Sequence, residues 1–142
     1  MTKIDLIARG IIVHDGKILL CKNLEQGHYF LPGGHVEEGE SQEETFAREM
    51  QEEMGKDVSK VQKIIDVNNS HVYKEQEFNE IISVYIVALK DYSNIKSLED
   101  HIDFAWVPLS GLATSAFKPI EMVPEILKCV EDNRGFWLEG NI

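Results

Sequence analysis

Between Glu37 and Glu53 the chain carries eight glutamates in seventeen residues, at positions 37, 38, 40, 43, 44, 49, 52 and 53, with one arginine, Arg48, among them. Glutamate is a good helix former, so a solvated acidic helix is the plainest reading. The placement of the charges argues for more. At about 100° per residue, Glu49, Glu52 and Glu53 share roughly 100° of arc on a helix, and Glu53 abuts an apolar stripe of Phe46, Met50 and Met54. Like charges three and four residues apart repel and weaken an isolated helix. A divalent cation resolves that conflict, because clustered carboxylate oxygens suit Mg²⁺ or Mn²⁺.

The spacing is more specific than the clustering. Gly34 is followed by five residues and Glu40, then by seven residues and Arg48-Glu49-Met50-Gln51-Glu52-Glu53-Met54-Gly55. This pattern resembles the Nudix box of the Nudix (MutT-type) hydrolases at every charged and glycine position. Lys56 departs from it, standing where the family usually carries an aliphatic residue. Leu31-Pro32-Gly33-Gly34 and Phe104-Ala105-Trp106-Val107-Pro108-Leu109 look similar to the same family, so the resemblance covers most of the chain.

The resemblance implies an α+β Nudix fold, an α/β/α sandwich around a central mixed β-sheet, with residues 1–142 as a single domain. It implies a metal-dependent hydrolase that cleaves a phosphoanhydride bond in a nucleoside diphosphate linked to another moiety, by attack of water at phosphorus. Mg²⁺ or Mn²⁺ would be held by Glu49 and Glu53, with Glu52 and the backbone carbonyl of Gly34. Arg48 would orient the glutamates and Glu40 would support it. Cations at such a site offset the charge of a diphosphate and acidify bound water, whose proton a carboxylate can accept.

Many relatives add an acid from a loop before a late strand. Glu99, in Ser97-Leu98-Glu99-Asp100-His101, is the candidate here, ahead of Asp100, with Glu77 and Glu80 as weaker alternatives. For substrate contact the basic candidates are Arg9, Lys22 and Lys118. Tyr73 falls where dinucleoside-polyphosphate hydrolases of this family carry a tyrosine, and Tyr29, Phe78 and Phe117 are further aromatics able to stack a base. The five histidines show no ligand spacing, although His35 directly follows the box glycine.

The elements that position these residues are partly legible. Ile4–Val13 and Lys17–Lys22 read as two strands of a hairpin about His14-Asp15-Gly16. Leu31–Gly34 stops regular structure. Ser41 with Glu44 forms a capping box, and Gly55 sits at the position of a C-terminal cap, so a helix spans the acidic segment. Ile81–Lys90 is a near-continuous β-branched run, the mark of a central strand. Asp103–Leu109 reads as a further strand, and Val123, Ile126, Leu127 and Val130 recur at helical spacing.

Composition narrows the function. The 142 residues contain 25 acidic against 14 basic side chains, a formal charge of −11, which disfavours nucleic-acid backbones and anionic membranes as partners. A small anionic substrate bound through metal ions fits that balance, and a homodimer stays open. Cys21 and Cys129 lie in apolar runs and read as buried free thiols. The N-terminal apolar stretch is interrupted by charge and reads as neither signal peptide nor membrane span, which points to a cytoplasmic location. The apolar tail Gly135-Phe136-Trp137-Leu138 reads first as a cap on the core, with closure over the site and contact with a second subunit as alternatives. Two alternatives to the small-molecule hydrolase remain: a non-catalytic nucleotide-binding or sensing module, and a pyrophosphohydrolase acting on RNA 5′ ends.

Overall fold

Two strands far apart in sequence, β1 (Lys3–Ile11) and β7 (Gln76–Leu89), pair in parallel with Ala8 opposite Ser83. The computed structural model describes residues 3–138, without the side chains of Lys3, Asn69, His71, Tyr73 and Leu138. β5 (Gly33–His35) runs antiparallel to β1, and β6 (Val58–Tyr73) antiparallel to β7, giving a mixed sheet in the order β5-β1-β7-β6. A smaller antiparallel sheet holds β2 (Val13–His14), β3 (Lys17–Asn23), β4 (Tyr29–Phe30) and β8 (Ile102–Pro108), with β8 paired to β3.

Helices cover both faces of the mixed sheet. α1 (Gln42–Met54) lays Phe46, Met50 and Met54 against Ala8, Ile12, Leu19, Tyr85, Val87 and Leu89. On the other side α2 (Val123–Asp132) and α3 (Arg134–Leu138) bring Ile126, Val130 and Trp137 onto Ile11, Val84, Ile86 and Ala88. Trp137 is buried and donates its indole N–H to the carbonyl of Val87 at 2.9 Å, so the apolar tail does cap the core. Cys21 and Cys129 are buried free thiols, as their apolar surroundings suggest. Among the described residues no helix is long and apolar enough to cross a membrane.

Two expectations about strands need correction. The run Ile4–Val13 is not one arm of a hairpin. It breaks at Ile12, and only Val13–His14 pairs with β3 across Asp15-Gly16, both at positive φ. The earlier part joins the other sheet because β7 offers it a parallel partner buried on both faces. β6 carries no strand signal in the sequence. Its sixteen residues are rich in Lys, Asn, Gln and Ser, and register shifts at Val58/Lys60 and Lys63/Ile65 break the period-two alternation. Its turn into β7 passes through Lys74 and Glu75 at positive φ (50° and 66°), without the glycine or asparagine that marks a hairpin in a sequence. The Ile81–Lys90 run lies as expected in the centre, between β1 and β6, with Ser83–Leu89 buried throughout.

Candidate active site

The helix that carries the glutamates is fixed at both ends by the residues its sequence provides. Ser41 accepts from the Glu44 amide while the Glu44 side chain accepts from the Ser41 amide, closing the capping box. Gly55 ends the helix in the left-handed region at φ 67°, its N–H donating to Gln51. α1 therefore starts and stops in register with the sheet beneath it.

Arg48 organises the exposed half of the site. Its Nε and Nη2 donate to the two oxygens of Glu40 at 2.8 and 3.1 Å, a bidentate fork. Nη1 donates to Glu49 and to Glu52, both at 3.1 Å, and Nη2 also reaches the carbonyl of His35 at 3.2 Å. Glu40 further accepts from Thr45 Oγ1 at 2.6 Å and from the Glu37 amide. Hydrogen bonds from Arg48 and Thr45 hold the Glu40 carboxyl down to about 2.

The inner half is electrostatically crowded. Glu53 is only 4% exposed, and the Gly33 amide donates to its Oε1 at 3.3 Å. Burial, followed by the charge of Glu49, pushes its carboxyl up to about 8, with Glu99 adding to the rise and Arg9 opposing it. Burial also raises Glu49 against the pull of Arg48, and Glu52 and Glu99 add to the rise. Three sequence-selected acids, Glu49, Glu53 and Glu99, thus press on one another. Glycines allow the close approach. A Cβ on Gly34 would stand 2.4 Å from Glu49 Oε1, and one on Gly33 would strike the Ala8 carbonyl at 1.9 Å.

Among the described residues no three His, Cys, Asp or Glu side chains already converge as an ion cage, since Arg48 engages Glu49 and Glu52. The donor set is nevertheless all oxygen, two of its carboxyls are destabilised as anions, and the Gly34 backbone lies against Glu49. That combination suits a hard divalent cation.

The remaining candidates separate. Arg9 lies at the site, its guanidinium donating to the Leu31 carbonyl at 3.2 Å and stacked over Phe30, within the field of Glu53 and Glu49. Glu80 is part-buried and adds to the field at Arg9. Lys22 lies on the opposite face of β3 from Cys21, which feels Glu53 and Arg9, and its Nζ sits over the Tyr29 ring. Asp100 is exposed, and Glu77 is exposed near the tip of the β6–β7 ribbon. The side chain of Tyr73 lies outside the described residues. His35 contributes its carbonyl rather than its ring.

Lys118 lines a cleft of about 890 Å³ together with His28, Asn68, Ile82, Phe117 and Glu121. Backbone hydrogen bonds from Tyr29 to Ala116 and from Lys118 to Tyr29 tie this cleft to the strand that leads into Gly33 and Gly34. Sequence reasoning found only Lys118 and Phe117 here. Asn68 and Ile82 come from the β6–β7 ribbon, whose first strand carried no readable signal.

Comparison with known proteins agrees with this arrangement. The family model for the NUDIX domain matches residues 5–128. The nucleoside triphosphatase NudI of Escherichia coli O139:H28 is 31% identical over 108 residues, covering 68% of this chain and 77% of NudI. A MutT NUDIX hydrolase from Burkholderia pseudomallei shares the fold with a TM-score of 0.69 at 23% identity, over 89% of this chain and 97% of that one. The E. coli dihydroneopterin triphosphate pyrophosphohydrolase does so with a TM-score of 0.71 at 17% identity, over 91% and 95% of the two chains. With the charged box residues Arg48, Glu49, Glu52 and Glu53 on α1 and the family match spanning most of its length, the chain belongs to the NUDIX family and is a Nudix hydrolase.

Proposed function

We propose that this chain is a Mg²⁺- or Mn²⁺-dependent pyrophosphohydrolase of nucleoside triphosphates or of a related nucleoside diphosphate linked to another moiety. The observation that carries the reading is Glu53, nearly buried, with its carboxyl raised to about 8 beside Glu49 and Glu99. A protein gains nothing in stability from crowding acids in this way, and a bound cation relieves the crowding. The name of the relative NudI, a nucleoside triphosphatase, supports the substrate class.

On this reading Glu49, Glu52 and Glu53, with the Gly34 carbonyl, hold the metal. When bound, the divalent cation neutralises the diphosphate and brings the pKa of a bound water toward neutrality. Arg48 holds Glu49 and Glu52 from the side, and Glu40 fixes Arg48 through its fork. A carboxylate oxygen of Glu53 or Glu99 accepts the water proton. Arg9 stands ready beside these acids to meet phosphate, and the cleft beside Lys118 receives the part of the substrate beyond the phosphates. The family match over residues 5–128 supports reading 1–142 as one domain.

The test is a phosphate and pyrophosphate release screen with Mg²⁺ and Mn²⁺. Its panel holds the nucleoside triphosphates, ADP-ribose, dinucleoside polyphosphates, NADH, nucleotide sugars and a 5′-triphosphate RNA. Turnover of a nucleoside triphosphate or a linked nucleoside diphosphate supports the proposal. Turnover confined to the RNA, or tight nucleotide binding without product, contradicts it.

A further inference from the structure

Lys56 is the one residue of the box region that departs from the family pattern, and it is not idle. Only 14% of its side chain is exposed. Its Nζ donates to Asp91 Oδ2 at 2.8 Å and to the Ser93 carbonyl at 2.6 Å. Asp91 in turn accepts from the Ser93 amide and hydroxyl through Oδ1, at 3.0 and 2.7 Å. The Asp91 carboxyl is held well below the usual carboxylate range, first by the bond from Lys56. One ammonium thus ties the C-terminal end of α1 to the start of the loop that runs from β7 to β8.

The far end of the same loop is tied to the same end of the helix. The Leu98 amide donates to the Glu53 carbonyl at 2.9 Å. The next residue is Glu99, whose amide and carbonyl both bond Ser97 Oγ, at 3.1 and 2.8 Å. Glu99 is close enough to raise the carboxyls of Glu53 and Glu49. An aliphatic side chain at position 56 can bury its stem but cannot bond Asp91 or the Ser93 carbonyl.

Resting on the proposed role of Glu99, we infer that Lys56 is a positioning residue that sets the loop so that Glu99 meets Glu53 and Glu49. Tyr92 and Ile95 pack against the core beneath α1, whereas Leu98 is 65% exposed and is held by its amide bond to the Glu53 carbonyl. The polar ties at its two ends set how the loop meets the end of α1.

The test is a double-mutant cycle between Lys56→Met and Glu99→Gln, read as kcat on the nucleotide turned over fastest in the screen above. Lys56→Met alone lowers kcat about 10-fold with KM little changed, the usual cost of losing a residue that orients a catalytic group. In the Glu99→Gln background the same change costs nothing further. Lys56→Arg restores most of the loss. Asp91→Asn, which weakens the tie from its other side, repeats the effect should Lys56→Met fold poorly. Amide exchange gives a second readout: the Leu98 amide loses protection in Lys56→Met while amides in the middle of α1 keep theirs. Additive losses, or unchanged Leu98 exchange, overturn the inference while leaving the role of Glu99 intact. A Glu99→Gln enzyme with full kcat removes that role, and the inference falls with it.

Discussion

Every partner that Arg48 meets, from the His35 carbonyl to the carboxyls of Glu40, Glu49 and Glu52, lies within one short stretch of chain. The cleft that Lys118 lines is assembled from 26–28, 67–68, 82 and 116–122, segments that the fold alone brings together. The first region is a charge network whose geometry follows from helical spacing. The second is a shape, set by the course of an edge strand and a loop. A charge network of this kind can be written locally in a sequence, whereas the proposed substrate cleft is written in tertiary structure.

The largest way to break that contrast is at Glu53. Replacing it with Gln keeps the shape and removes the charge, so turnover should fall by about 10²–10⁴-fold in steady-state kinetics while circular dichroism stays unchanged. Turnover within a few-fold of wild type would mean that the inner half of the network is structural only.

The same substitution should act in the opposite direction on stability. The Glu53 carboxyl is raised from its ordinary value near 4.5 to about 8. Below pH 4.5 it is protonated in both folded and unfolded chains and costs nothing. As pH rises from 4.5 to 8 the unfolded chain releases its proton while the folded one retains it, and stability is lost. Without divalent metal, Glu53→Gln should therefore be the more stable protein at pH 7, by on the order of 3 kcal/mol, with the gap closing near pH 4. Denaturant titrations in chelator at the two pH values check this, and a gap that widens in acid would refute the burial argument. Glu40 runs the other way. Lowered to about 2, it contributes stability above pH 4.5 that is lost as pH falls through 2.

The smallest effect belongs to the cleft. Lys118 is exposed on its wall, so Lys118→Ala should raise KM by roughly 10-fold or less and leave kcat nearly unchanged. A loss confined to kcat would place Lys118 with the chemistry and blur the division between the two regions.

Legibility followed the same line. The capping box, Gly55 and the face shared by the glutamates were readable, because each depends on spacings of a few residues. The buried central strand was readable from its β-branched run. β6 was not, since an edge strand with bulges and polar faces has no period to find, and with it went Asn68 and Ile82 of the cleft. The partners of Lys56, Asp91 and Ser93, lie more than thirty residues away, beyond what local spacing can show.

The central claim is that Glu53 and its neighbours form a cation site. Its most direct test is a Mn²⁺ titration of the nucleotide-free protein, followed by the electron paramagnetic resonance signal of free Mn²⁺, with Glu53→Gln in parallel. The account predicts that wild type depletes the free signal and that the variant binds at least about 10-fold more weakly. Equal affinity in the two proteins, or no depletion by folded wild type, would contradict it.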